Sequence, residues 1–241
     1  MQSGLYVSLS AQMSLERRLE SVAINVANMN TVGYRASGVS FHAYVENEGG
    51  QSVAYANSGR DYITRSQGPL IQTGNPLDVA VQGEGWLAVQ TPGGTVYTRD
   101  GRMRMRPTGE LESVDGHPIL DAGNAPIVLD PTAGAPTISS DGMISQNNQQ
   151  VGAIGLFAID PSAKFTRYEN SGVIPDKPAT PILDFSNNGF VQGHVEGSNV
   201  NPILEMAKLM TISRTFESIT GANASTEGSL KDAVKILGGT S

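Results

Sequence analysis

Along the first thirty residues the apolar positions Leu15, Leu19, Val22, Val26 and Met29 step by four, three, four and three. That spacing lines one face of an α-helix and lets it meet a second helix. Neither Gly nor Pro interrupts the run between Leu5 and Thr31, and residues 3–30 are predicted to be helical. The far end carries the same signature. Asn201-Pro202 marks a helix start, with Asn201 as N-cap and Pro202 at the first helical position. Leu209, Ile212, Phe216 and Ile219 follow at three-four spacing, and the register passes through Asn223 and Thr226 to Leu230, Ala233 and Leu237. Gly221 and Gly228 weaken that second half by about 1 kcal/mol each relative to Ala. Both ends are therefore expected to form seam helices that pack on each other, on neighbouring subunits, or both.

The middle reads differently. From about Pro69 to Val195 the chain consists of short alternating runs punctuated by Gly93-Gly94, Asp100-Gly101, Asp115-Gly116, Asp141-Gly142 and Asn188-Gly189. Such pairs supply the positive φ angles of tight hairpins. Strands are predicted at Leu77–Val81, Trp86–Gln90, Val96–Thr98, Arg102–Arg106, Ile119–Leu120, Ile127–Leu129, Ile154–Ile159 and Phe190–Val195. The expected fold is mixed α and β, with terminal coiled-coil-type α-helices flanking a mainly β central domain. Its parts are an N-terminal helix over 1–31, an extended connector over 32–68, the β domain over 69–197 and a C-terminal helix over 198–241.

Charge sharpens this division. The 241 residues carry a formal net charge of -7. Glu16, Arg17, Arg18 and Glu20 cancel at one end, and four bases cancel four acids after residue 198. The acidic excess lies in the middle, which suits ends that pack in an assembly and a centre that meets water. An acidic surface also argues against nucleic acid as a partner. The chain contains no cysteine, which removes disulfides and thiolate chemistry. The opening MQSGLYVSLSAQ has neither a basic n-region nor a long apolar h-region, so a cleaved secretory signal is not expected. The longest apolar stretch, Val151 to Ile159, is too short to insert in a membrane as a helix.

Residue constellations that carry chemistry are scarce. His42, His117 and His194 stand singly, without metal-ligand spacing. Gly83-Glu84-Gly85-Trp86-Leu87-Ala88 fits a dinucleotide-binding pattern, but Thr91-Pro92-Gly93-Gly94 leaves no room for the helix that would hold phosphates, and a hairpin turn is expected instead. No catalytic residue, metal or cofactor is predicted. Arg99, Arg102, Arg104 and Arg106 form a basic cluster in which the last three alternate with Met103 and Met105. It is either a solvated strand face or an electrostatic contact with an acidic neighbouring subunit.

Three motifs then converge. Ala27-Asn28-Met29-Asn30-Thr31-Val32-Gly33-Tyr34-Arg35, with Phe41 downstream, resembles the ANxxTxGYK/R…F signature of bacterial flagellar basal-body rod and hook proteins. Thr73 to Leu120, above all Leu77-Asp78-Val79-Ala80, Gly83-Glu84-Gly85 and Tyr97-Thr98-Arg99-Asp100-Gly101, is similar to that family's β-domain motif. Glu196 to Glu217, with Ser198-Asn199-Val200, resembles its closing helix. Trp86-Leu87 stands where two aromatics are usual, and Ile24-Asn25-Val26 replaces the usual Asn-Asn-Leu. The length is too short for a hook protein, and the opening is most like the proximal rod branch, with the distal rod branch as the alternative.

The resemblance implies a structural subunit, not an enzyme. It would be exported by the flagellar type III apparatus and built with copies of itself and other rod proteins, proximal and distal, into the periplasmic drive shaft that transmits torque. Subunit contacts would fall on Leu15, Leu19, Val22, Val26, Met29, Leu209, Ile212, Phe216 and Ile219. Ala27, Asn28, Asn30, Thr31, Gly33 and Tyr34, with Ser198, Asn199 and Val200, would cap the helices and set the angle between seam and body. Phe41 and Val45 fit the Phe-xxx-hydrophobic spacing of an export element. A reading of another class, a secreted β-rich binding module, would bind through the isolated middle and need neither end.

Overall fold

A computed structural model describes residues 2–41, 43–48, 51–56 and 59–239. Helix α1 (Gln2–Ala27) opens the chain, α2 (Pro202–Leu237) closes it, and the described residues between them are mainly strand. This is the mixed fold class expected. The chain divides into two compact units, one made of residues 1–27, 37–62 and 201–241, the other of residues 28–36 and 63–200.

In the first unit, α1 and α2 lie against each other. The start of α2 follows from its cap. Asn201 Oδ1 accepts the Leu204 amide at 3.1 Å, and its carbonyl accepts the Glu205 amide at 3.0 Å. The glycine-rich stretch read as an extended connector holds four strands: β1 (Ser37–Ser40), β2 (Ala43–Glu48), β3 (Gln51–Ala56) and β4 (Arg60–Ile63). β2 and β3 form a hairpin from Ala43↔Ala56 to Glu48↔Gln51, β1 pairs with β4, and α1 runs beside β1 and β3.

The second unit holds β5 (Leu70–Gln72), β6 (Val79–Gln82), β7 (Leu87–Thr91), β8 (Gly94–Thr98), β9 (Met103–Met105) and β10 (Leu111–Ser113). It continues with β11 (Thr137–Ile138), β12 (Met143–Gln146), β13 (Gln149–Ala153), β14 (Phe157–Ala158) and β15 (Phe165–Tyr168). β16 (Gly172–Pro175), β17 (Thr180–Pro181), β18 (Gly189–Gln192) and β19 (His194–Glu196) complete it. Its largest sheet has the order β15-β16-β8-β7, and β11-β12-β13 is a second antiparallel sheet. The last strands return to the first: β18 pairs with β6 and β19 with β5, so the end of this unit is zipped onto its beginning.

Two local details depart from the sequence reading. β6 pairs with β18 and β7 with β8, so Gly83-Glu84-Gly85 is a crossover between separate sheets instead of a hairpin turn. The tight β12–β13 hairpin is made by Asn147-Asn148, both in the left-handed region with φ of 50° and 60°. Asn tolerates that region because its short polar side chain bonds locally.

Burial explains the strength of this unit. In β6 and β7 the residues Val79, Ala80 and Val81 and Leu87, Ala88 and Val89 are all buried, so both faces of these strands are covered. Leu87 and Val89 join Leu111, Ile119, Ile144 and Phe190 in the main core, while Ala88 faces Leu120 and Phe157 on the other side. Full burial of each large apolar side chain contributes about 1.5–3 kcal/mol.

Candidate functional site: the helix pair and the chain-exit junction

In the helix pair, Leu15 and Val22 of α1 are buried, Val26 is half-buried and Leu19 is exposed. On α2, Leu209, Ile212 and Ile219 are half-buried and Phe216 is exposed. Met29 lies beyond the end of α1, in the second unit. The side chains of Thr226, Leu230, Ala233 and Leu237 lie outside the described residues, as do His42 and the side chain of Val45. Phe41 is half-buried with the Arg18 guanidinium 4.8 Å above its ring.

The most buried positions of this seam are polar. Asn25 of α1 exchanges two hydrogen bonds with Ser37 at the start of β1, receiving the Ser37 amide at 2.8 Å and donating to its carbonyl at 2.8 Å. Asn25 Nδ2 also donates to Glu205 Oε2 of α2 at 3.1 Å, and Glu205 Oε1 accepts from Lys208 Nζ at 2.6 Å. Glu205 heads the series 205, 209, 212, 216, 219, so this node sits in line with the apolar seam and ties α1, β1 and α2 in one register. The three-four periodicity picks out apolar residues only and passes over it.

In the second unit, the motif around Gly33 meets the motif around Asn199. The Gly33 amide donates to the Glu196 carbonyl at 2.7 Å and the Asn199 amide to the Tyr34 carbonyl at 3.3 Å. The Asn199 side chain accepts the Ala36 amide at 2.7 Å and donates to Thr64 Oγ1 and to the Ser66 carbonyl, both at 2.8 Å. The Thr64 amide closes the set onto the Ala36 carbonyl at 2.9 Å. Ser198 Oγ accepts the Val200 amide at 3.3 Å, and Thr31 donates its amide to the Asn28 carbonyl at 3.1 Å and its hydroxyl to Asn28 Oδ1 at 3.1 Å. Gly33 has φ +70, and a Cβ there would lie 2.2 Å from the Asp100 amide nitrogen, so backbone sterics require glycine.

A buried ion triad lies beneath. Glu196 is 0 % exposed and Arg35 and Arg99 are 1 % and 2 %. Glu196 Oε1 takes Arg35 NH2 at 2.6 Å and the Gly68 amide at 3.0 Å, and Oε2 takes Arg99 NH1 at 3.0 Å. Arg99 also reaches the Gly83 carbonyl at 2.7 Å, which gives the glycine-rich crossover its role as an acceptor. Both guanidiniums lie over Trp86, at 5.8 and 5.4 Å from the ring centroid. Burial lowers Arg35 from 12.5 to about 10, opposed by the charge of Glu196 and reinforced by that of Arg99. Burial also pulls Arg99 down against the attraction of Glu196. Arg167 is lowered by burial too; it covers the Tyr34 ring at 4.3 Å and donates to the Arg35 carbonyl at 2.5 Å. Arg99 is thus separate from the surface strand, where Arg102 pairs with Asp100, Arg104 with Glu112, and Arg106 with Glu110 and Glu112.

Among the described residues, no group of three or more His, Cys, Asp or Glu side chains is placed to hold a metal, and no helix is long and apolar enough to cross a membrane. The geometry is that of an assembly subunit, a β body fastened at its chain exits and joined to a terminal helix pair. A family model described as "Flagella basal body rod protein" matches residues 5–35. Those for the "Flagellar hook protein FlgE/F/G D1 domain" and the "Flagellar basal body rod FlgEFG protein C-terminal" match residues 80–146 and 191–220. The chain belongs to the flagellar basal-body rod protein family, and three relatives named flagellar basal-body rod protein FlgF match it over 99–100% of its length. FlgF of Mesorhizobium japonicum is 52% identical over 241 residues, covering 100% of both chains. FlgF of Rhizobium meliloti is 44% identical over 240 residues, with 100% of both covered, and that of Caulobacter vibrioides 35% over 248, with 99% of both covered. These names are those of flagellar rod and hook proteins, not of enzymes.

Proposed function

We propose that this chain is a structural subunit of the flagellar basal-body rod that assembles through α1 and α2. Its neighbours are copies of itself and other proximal and distal rod proteins, and the helical structure they form is the periplasmic drive shaft that transmits torque. It reaches that site through the flagellar type III export apparatus. The reading rests on one observation above all: both helices leave a second apolar stripe exposed. On α1 it comprises Leu9, Met13 and Ile24; on α2, Ile203, Met206 and Met210. At 100° per residue the α1 stripe falls on the side away from Leu15 and Val22, and on α2 Ile203 and Met210 turn away from Glu205, Leu209 and Ile212, with Met206 on the flank beside Leu209. Surfaces of this kind need a partner. The surface proposed for neighbours is therefore this stripe with Leu19 at its margin, while Leu15 and Val22 serve the seam within the chain and Phe216 lies in line with Leu209 and Ile212.

The double variant Met13→Asp, Met210→Asp tests this. Both sites are exposed, so the isolated chain should lose less than about 0.5 kcal/mol of stability. Cells carrying it should secrete the protein but build no rod beyond it, as read from purified basal bodies. Normal rods in those cells would remove the proposal.

A further inference from the structure

We propose that residues 33–36, 64–68 and 196–199 form a mechanical clamp, which takes tension delivered through the two helices and keeps it out of the β body. Only the setting rests on the rod reading above; the clamp itself is a property of this chain.

Direction carries the inference. The Gly33 amide bonds to residue 196 and the Tyr34 carbonyl to residue 199, so the two segments advance together and run parallel. α1 pulls its segment toward residue 28 and α2 pulls the other toward residue 201, since these are the covalent connections. Opposed tension on parallel segments loads the cross-links in shear. They must fail together, whereas links at a fork open one at a time. The Asn199 side chain adds links of the same kind to Ala36, Thr64 and Ser66, and Glu196 joins Arg35, Arg99 and the Gly68 amide. The Glu196 links are almost wholly removed from water, which cannot replace a bond as it stretches. Tension entering near residue 28 and leaving near residue 201 crosses this set directly. The β6–β18 and β7–β8 pairings feel it only after the clamp has opened.

The chain has no native cysteine, so pulling handles can be placed at will on the full-length protein. One pair is Ala27→Cys with Ile203→Cys, across the exits; the control pair is Val114→Cys with Leu183→Cys, all four being exposed sites. Asn199→Ala should speed rupture at a fixed force about tenfold on the exit axis, the rate equivalent of losing a half-buried set of hydrogen bonds. It should leave the control axis unchanged. Thr64→Val keeps the side-chain volume, removes only the hydroxyl between Ala36 and Asn199, and should act in the same direction if Asn199→Ala does not fold. Equal acceleration on both axes would assign these residues an ordinary share of stability and overturn the clamp, as would no acceleration on the exit axis. A strain lacking the protein that still builds rods would remove the setting and leave the pulling result untouched.

Discussion

The two units of this chain treat their apolar side chains in opposite ways. The β unit turns Val79, Leu87, Leu111, Ile119, Ile144 and Phe190 inward and closes by pairing its last strands with its first. In α2, which runs from Pro202 to Leu237, Glu205 is the one described side chain that is buried, while Ile203, Met210 and Ile236 are well exposed. One unit encloses its core within the single chain; the other leaves a run of large apolar side chains exposed. The difference matches a subunit whose body must survive alone and whose ends find their full burial in an assembly.

The largest break in this comparison should come from Glu196. Glu196→Ala leaves Arg35 and Arg99 buried without their shared carboxylate, which costs about 3–5 kcal/mol. Trp86, the one tryptophan of the chain, lies over both arginines and reports the loss by fluorescence in a urea titration. The helix signal in far-UV circular dichroism should change little in native buffer. A shift below about 1 kcal/mol would mean that the triad behaves as a solvent-exposed pair.

A smaller effect is expected at Glu205, the one described side chain of α2 that is buried. Glu205→Ala removes one of the partners of Asn25 and should cost about 1–2 kcal/mol, confined to the helix pair. Glu205→Leu extends the apolar seam and should be neutral or stabilising, because an apolar residue at a buried charged site often is. Its cost would be register. Amide exchange should show faster opening of residues 15–27 in the first variant and unchanged or slower opening in the second. Slower opening in the alanine variant would mean that the node strains the seam it occupies.

These contrasts also show which parts of the molecule sequence patterns disclose. Three-four spacing found both helices, and turn pairs found the β middle, because those signals are local and periodic. The junction was legible only in part. Gly33, Tyr34 and Asn199 stand out as motif residues, but their contacts span more than a hundred positions, and no spacing rule links Arg35 or Arg99 to Glu196. Asn25 and Glu205 were hidden for another reason. A hydrophobic stripe is defined by apolar residues, so a polar pair completing it looks like an interruption. The Asn147-Asn148 turn escaped notice because it has no glycine, although Asn enters the same region of φ.

The smallest effect concerns the turns of the β unit, which hold carboxylates below their ordinary range. Asp130, Asp160 and Asp184 each accept the hydroxyl and amide of a Ser or Thr two residues on, and Asp141 accepts the Ser139 hydroxyl and the Met143 amide. Asp160 is the extreme case. The Ser162 hydroxyl at 2.6 Å and amide at 2.7 Å, with Lys177 Nζ at 3.2 Å, lower it from 3.8 to about 2. A carboxylate lowered on folding favours the deprotonated native state. Its contribution is complete above pH 3.8, falls as the pH drops toward about 2, and is gone below that value. The Arg65 guanidinium donates to the Asp160 carbonyl at 2.8 Å and lies 4.4 Å over Phe165, whose ring meets Trp86 edge-on at 5.4 Å. Trp86 fluorescence can therefore follow this corner. Urea midpoints should decline between pH 4 and pH 2, and Asp160→Asn should flatten part of that decline while leaving the midpoint at pH 7 only slightly lower. An unaltered slope in Asp160→Asn would place the acid sensitivity of the β unit in its other carboxylates.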